Sequence, residues 1–269
     1  MSKNFSFKIR MSLCIILAIC SILCINASAE QSFNWYCKRN SNHLQPCADS
    51  NMEWIENYNG IYVDKQHSDT NADKVIYLTF DAGYENGNVA KIMDVLKAEK
   101  VPGAFFILGN MIIQNPELVK RMAKEGHIVC NHTYTHKNIT KLTDQQIKDE
   151  LQRLEAAYFE LTNSHMAKYF RPPEGTFDQR TMKVICDSGY TTVFWSFAYA
   201  DWDNLKQPSK EDAMKKIMDN VHNGAVILLH PTSATNAAIL QDMIRGLKAQ
   251  GYRFGTLDEL TMPRAKEPV

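Results

Sequence analysis

A chain of 269 residues with 30 basic and 30 acidic side chains has no net charge, so neither a nucleic-acid surface nor an anionic membrane face can be read from it. Its length suits one large α/β domain or two small ones. No glycine-rich dinucleotide or Walker-type loop follows any of its apolar runs, which removes the nucleotide-dependent classes.

The first element is a targeting segment. Lys3, Lys8 and Arg10 precede an almost wholly apolar stretch, 11–25, and Ala27-Ser28-Ala29 offers a small-x-small cleavage site before Glu30. That stretch is shorter than the roughly 20 residues a membrane-spanning helix needs. The expectation is a secretory signal over 1–29 and an exported, extracytoplasmic protein, with retention by an uncleaved segment as the alternative. Cys20 follows Ile19 and Cys24 follows Leu23, not small residues, which disfavours lipid anchoring. Three basic and no acidic residues lie in 1–29, so the remainder carries 27 basic against 30 acidic side chains.

Residues 30–70 are polar, with Trp35, Tyr36, Trp54, Tyr58 and Tyr62 scattered through them and no sustained period. They read as a lead-in that wraps the domain, its aromatics serving packing ahead of sugar stacking. Cys37 and Cys47 could close a local loop in an oxidising compartment. Cys130 and Cys186 fall in apolar patterns and read as buried thiols.

From residue 75 the chain becomes regular. Short apolar runs at 75–80, 104–108, 128–130, 169–170, 191–197, 225–229 and 252–256 read as strands buried on both faces. Amphipathic stretches at 88–99, 116–125, 144–162, 179–188, 210–220 and 236–250 read as helices. Pro116 suits a first turn, Asp144 the positive end of a dipole, and Gly126, Gly189 and Gly251 helix ends. Seven strands alternating with six helices imply a parallel sheet with right-handed crossovers. The count fits an open sheet or a barrel. The barrel is preferred because ionisable residues follow five different strands, and a barrel gathers all strand ends at one mouth. The domain is placed at 71–262, with a tail at 263–269.

Those residues are Asp81 in Thr79-Phe80-Asp81-Ala82-Gly83, His132 and His136 in Cys130-Asn131-His132-Thr133-Tyr134-Thr135-His136, Arg171 in Arg171-Pro172-Pro173-Glu174-Gly175, Asp201 before Trp202, and His230 after Leu228-Leu229. At spacing four, the two imidazoles would project from one face of a helical turn and reach a single metal ion. Each segment alone has a commoner explanation, such as a cap, a turn or a surface pair. Five at the downstream ends of strands point to a hydrolase site.

In this order the segments resemble the five motifs of the polysaccharide deacetylase (NodB homology) family, over about residues 74–260. The wider runs Asp81-Ala82-Gly83-Tyr84-Glu85-Asn86-Gly87, Phe194 through Trp202, and His222 through Pro231 are similar to one branch, the sporulation-linked delta-lactam-biosynthetic de-N-acetylases, also described as peptidoglycan N-acetylmuramic acid deacetylases. The resemblance implies a distorted (β/α)7 barrel that hydrolyses an N-acetyl amide. It implies a divalent metal, zinc by preference, on His132 and His136, with Asp81 as general base and available to the metal. Arg171 would hold Asp81 ionised, His230 would protonate the departing amine, and Asp201 would orient His230. A backbone amide near Gly83 or Tyr84 would serve the oxyanion, and Tyr84, Pro172, Trp202 and Leu228 would line the groove.

One departure stands out. Most of the family carries a second aspartate as third metal ligand, where this chain has Ala82, so metal identity stays open. The branch also lacks that aspartate. The implied substrate is the peptidoglycan glycan strand, and the implied partner is an N-acetylmuramoyl-L-alanine amidase that strips the stem peptide first. Muramic acid freed of its acetyl group could then close to the delta-lactam of spore cortex. The alternatives are a deacetylase of N-acetylglucosamine, chitin or xylan, and a cell-wall-binding pseudoenzyme. A zinc peptidase is disfavoured because no glutamate follows His132.

Overall fold

The computed structural model describes residues 31–39 and 42–262; the expected signal segment 1–29 and tail 263–269 lie outside them. Among the described residues no helix is long and apolar enough to cross a membrane.

The strands are β1 (Phe33–Asn34), β2 (Gly60–Ile61), β3 (Lys74–Ala82), β4 (Ala104–Ile107), β5 (Ile128–Asn131), β6 (Tyr169–Phe170), β7 (Thr176–Phe177), β8 (Thr191–Val193), β9 (Ala225–Leu229) and β10 (Tyr252–Phe254). The helices are α1 (Val89–Glu99), α2 (Gly109–Gln114), α3 (Pro116–Lys124), α4 (Asp144–Thr162), α5 (Gln179–Asp187), α6 (Lys210–Asn220), α7 (Ala234–Ala249) and α8 (Leu257–Thr261). Side-chain caps start the longer ones: Thr143 and Gln146 form a capping box on α4, Asp178 and Thr181 do so on α5, and Ser209 and Ser233 cap α6 and α7.

The large sheet runs β10-β3-β4-β5-β6-β8-β2, with β9 also paired to β3, and all these pairings are parallel. Its curl is closed by isolated bridges. Phe197 pairs with Ile227 in parallel, and Val63 pairs with Ala225 in antiparallel. The expected barrel is therefore present and distorted, with β9 ending beside the chain that leaves β8. That closure explains why the apolar run 191–197 yields only a three-residue strand. Its later residues leave the ladder, and both Ser196 and Phe197 donate their amides to Val226 O at 3.0 and 3.2 Å.

Strand alternation decides what faces the site. On β3, Ile76, Leu78, Phe80 and Ala82 pack outward in one cluster with α1, α2, α3 and α7. Val75 and Tyr77 point inward to a second cluster with Phe106, Cys130 and Val226. Thr79 and Asp81 continue that inward row and reach the barrel mouth. Cys130 is fully buried on the inward row, as expected of a thiol in the barrel wall, whereas Cys186 is only half-buried.

The lead-in builds a third cluster. Trp35, Met52, Ile55, Tyr62 and Val63 pack on Phe177, Met182 and Phe194, and β1 pairs antiparallel with β7. Trp35 stacks on Phe194 with centroids 4.4 Å apart and lies 5.0 Å from Tyr62. The segment wraps the barrel where the parallel ladder is interrupted.

Candidate active site

Asp81, His132, His136, Tyr84, Trp202, Leu228 and His230 border one pocket of about 760 Å³, a volume that suits a sugar residue with its substituents. Behind its lining stand Arg171 and Asp201, both buried.

Arg171 is fully buried, and each nitrogen of its guanidinium is hydrogen-bonded. It donates from Nη1 to Asp81 Oδ1 at 2.8 Å, from Nη2 to Thr79 Oγ1 at 2.9 Å and Phe194 O at 3.1 Å, and from Nε to Val193 O at 2.8 Å. The guanidinium also lies over the Phe106 ring, 4.2 Å from its centroid. Burial opposes charge on Asp81, but Arg171, with His132 and His230 nearby, holds its carboxyl below the usual carboxylate range. Asp81 is an anion fixed by a cation that cannot leave.

The two histidines do not sit on a helical turn. They occupy an irregular bend after β5, in which Thr133 and His136 have φ of 69° and 59°. Asn131 Oδ1 accepts from Thr133 N at 2.9 Å, and Thr133 Oγ1 accepts from His136 N at 2.9 Å. These local bonds outcompete the helix and set the rings 5.0 Å apart at 67°. Spacing four is common to both geometries, so the sequence could not tell them apart.

His132 Nδ1 is 2.8 Å from Arg171 O, a carbonyl that can only accept, so Nδ1 carries the hydrogen. Its Nε2 lone pair then faces Asp81 Oδ2 at 3.6 Å, too far for a hydrogen bond. Burial pushes His132 down to about 4, and burial also lowers His136, so both rings are neutral donors. Two neutral imidazoles beside a carboxylate match the donor chemistry of a divalent cation such as zinc. Among the described residues, however, no three or more of His, Cys, Asp and Glu are gathered into a metal-holding group. The expected trio of His132, His136 and Asp81 is thus not a closed cage. Asp81 Oδ1 is committed to Arg171, and Ala82, buried in the outward cluster and absent from the pocket wall, adds no donor.

His230 is held equally firmly. Its Nδ1 lies 2.7 Å from Asp201 Oδ1, and its backbone N donates to Asp201 Oδ2 at 2.8 Å. Asn236 Nδ2 donates to Asp201 Oδ2 at 2.6 Å and to His230 O at 3.1 Å. Burial works against a charged His230, but the hydrogen bond and charge of Asp201, with Asp81, outweigh it and raise its pKa. Nε2 is left as the nitrogen that can serve a substrate.

Of the expected groove residues, Tyr84, Trp202 and Leu228 line the pocket, and Trp202 is 62 % exposed. Pro172 does not. It is buried at the start of the turn Pro173–Gly175, and that turn presents Glu174 and Gly175 to the pocket instead. Sequence reasoning missed Trp35, Glu174, Gly175, Trp195, Tyr199 and Thr232, which also line the pocket. Trp35 comes from the lead-in through tertiary contacts alone: its N donates to Gly175 O and its Nε1 to Trp195 O, both at 2.8 Å. Glu174 and Gly175 have φ of 59° and 65°. A Cβ on Gly175 would meet the Trp195 ring at 2.8 Å, so only glycine fits. The Arg-Pro-Pro-x-Gly run carried that signal, and a strained non-glycine residue at a pocket is a functional marker.

The family profile of polysaccharide deacetylase matches residues 68–193. The peptidoglycan-N-acetylmuramic acid deacetylase PdaA of Bacillus subtilis is 39% identical over 254 residues, covering 90% of this chain and 95% of that protein. The solved structure of Bacillus subtilis PdaA, a family 4 carbohydrate esterase, superposes with a TM-score of 0.80 at 40% identity, over 86% of this chain and 97% of that one. The peptidoglycan-N-acetylglucosamine deacetylase PgdA of Listeria monocytogenes is 35% identical over 188 residues, 70% of this chain but 39% of that protein.

Proposed function

Because this chain belongs to the polysaccharide deacetylase family, we propose that it hydrolyses the N-acetyl group of N-acetylmuramic acid in peptidoglycan. The observation that carries the reading is the pairing of two held groups on one pocket, an anionic Asp81 fixed by Arg171 and a His230 whose pKa is raised by Asp201. Amide hydrolysis needs a base and an acid at once, and a glycan-binding wall needs neither.

Asp81 Oδ2, the oxygen free of Arg171, takes a proton from water as that water adds to the acetyl carbonyl carbon. His230 Nε2 gives its proton to the sugar nitrogen as the C–N bond breaks, leaving acetate and a free amine. Gly83 and Tyr84 line the pocket, and a backbone amide there would serve the oxyanion. A divalent cation bound at His132 and His136 with Asp81 beside them, zinc by donor chemistry, would polarise the acetyl oxygen and acidify the attacking water. Trp202 and Tyr84, exposed on the rim, offer faces for sugar rings, and Asn204 Nδ2 donates to Tyr84 Oη at 2.6 Å.

His230 must be protonated to act, so the alkaline limb of kcat/KM follows its pKa, which lies above the ordinary histidine value. Replacing Asp201 with asparagine removes the charge that raises it. The limb then moves to lower pH, and kcat falls by about 10²- to 10⁴-fold. An unmoved limb in Asp201→Asn would exclude His230 as the acid.

Peptidoglycan lies outside the cytoplasmic membrane, so the reading requires export, and the composition of residues 1–29 supports it. The site of action would be the cell wall or the forespore intermembrane space. Amidase-trimmed muramic acid, once deacetylated, could close its amine onto the lactyl carboxyl as the delta-lactam.

The exposed carboxylate of Glu174 on the same pocket favours a second reading, in which a sugar without a free carboxylate, N-acetylglucosamine, is the substrate. Mass spectrometry of muropeptides from peptide-stripped peptidoglycan, incubated with protein and zinc, separates the two. Acetyl loss from muramic acid, with or without the further water lost on lactam closure, supports the proposal. Loss from glucosamine transfers the same mechanism to the second sugar. No loss beside tight glycan binding would make the protein a cell-wall-binding pseudoenzyme.

A further inference from the structure

We propose that Cys37 and Cys47 form an oxidation site, whose disulfide fastens the N-terminal strap, and with it Trp35, onto the wall of the pocket. The strap delivers Trp35 to that wall by two hydrogen bonds and the β1–β7 pairing, with contacts to Phe194 and Tyr62. The chain around Cys47 returns to the same place. Tyr36, beside Cys37, hydrogen-bonds through its hydroxyl to Asp49. Ala48, beside Cys47, donates its amide to Tyr62 Oη at 3.2 Å, on the ring that packs against Trp35. Trp35 and Ala48 share one buried cluster, and Cys37 packs against it. Two cysteines ten residues apart are thus each flanked by residues in direct contact or on a common ring.

Their exposures differ in a useful way. Cys47 is exposed and Cys37 is half-buried. Burial, with the nearby charges of Cys47 and Asp49, pushes the Cys37 thiol up to about 12, so Cys37 alone is a poor nucleophile. The oxidant is an external disulfide, that of a thiol–disulfide oxidoreductase or of oxidised glutathione. Cys47 thiolate attacks one sulfur and expels the first thiol. Cys37 then attacks the mixed disulfide at Cys47, and the second thiol leaves. One S–S bond forms on the protein, the oxidant's S–S bond becomes two thiols, and those thiols take both protons and both electrons.

The bond adds no contact to the folded state. It removes loop freedom from the unfolded chain and keeps the strap from fraying off the pocket. Cys130, fully buried in the barrel interior, has no such route to a partner.

The test uses full-length protein equilibrated with oxidised glutathione, alkylated without reduction, digested and mapped by mass spectrometry. A peptide pair linked through Cys37 and Cys47 is expected, with Cys130 alkylated only after denaturation. The oxidised protein should melt about 5 °C or more above the reduced one. Cys47→Ser, a change at an exposed position, should melt with the reduced protein and ignore reductant. Full alkylation of both Cys37 and Cys47 in the oxidised sample, or a Cys47→Ser variant melting with the oxidised wild type, would overturn the proposal. None of these readouts depends on deacetylase activity, so they stand apart from the fate of the functional reading.

Discussion

Asp81→Asn should lower kcat by about 10²- to 10⁴-fold, the range for losing a positioned general base, while glycan binding persists. Asparagine keeps an oxygen for Arg171 Nη1, so the wall keeps its shape. What disappears is the anion that accepts the proton of water. The fold should survive, because Arg171 retains Thr79, Val193 and Phe194 as acceptors. The thermal midpoint should drop nonetheless, since a buried guanidinium loses its carboxylate partner. Steady-state kinetics with a glycan-binding measurement checks both halves, and full turnover would remove Asp81 from the role of base.

The largest expected loss of stability belongs to Arg171→Met. The side chain is fully buried and joins β3 to the chain leaving β8 through four hydrogen bonds. Methionine fills part of the volume but leaves Asp81 as an unpaired, largely buried anion. Removing one partner of a buried pair costs about 3–5 kcal/mol. At this size each kcal/mol moves the melting temperature by about 2–4 °C, so a fall of roughly 10 °C is expected. Asp81 should also lose its depressed pKa, and activity with it. Arg171→Lys should recover little, because three donors on a flexible stem cannot meet four fixed acceptors. A melting temperature of Arg171→Met within about 2 °C of the parent would contradict this account.

Much of this architecture was legible before any coordinates, and the reason is periodicity. Buried parallel strands and amphipathic helices write their spacing into the chain, so 144–162 and 225–229 match α4 and β9 at both ends. What escaped was set by contacts distant in sequence. The two-residue strands β1, β2 and β7 have no pattern to show and exist only because a partner strand is present. Helix α2 is six residues without a side-chain cap, ended at Asn115 before Pro116. In the site, the residue types were readable and their backbone was not. His132 and His136 carry the right donors on a bend, and Pro172 has the right neighbours but is buried apart from the pocket lining. Trp35 lies 160 residues from Trp195 and could not have been assigned to the pocket from either segment.

The bridge between Val63 and Ala225 and the bond from Trp35 to Trp195 also set an order of events in assembly. The strap leaves the ribosome early, yet every surface it docks on is made late. Until Phe177, Met182 and Phe194 exist, Tyr62, Trp35 and Met52 have nothing to cover, and until β9 exists the barrel has no closure. Such long-range pairings are slow to form, because loop-closure entropy must be met before any contact rewards it. A chain so arranged stays open until its last third has been synthesised. Under the export proposed above, that delay would keep the chain fit for passage as an extended thread.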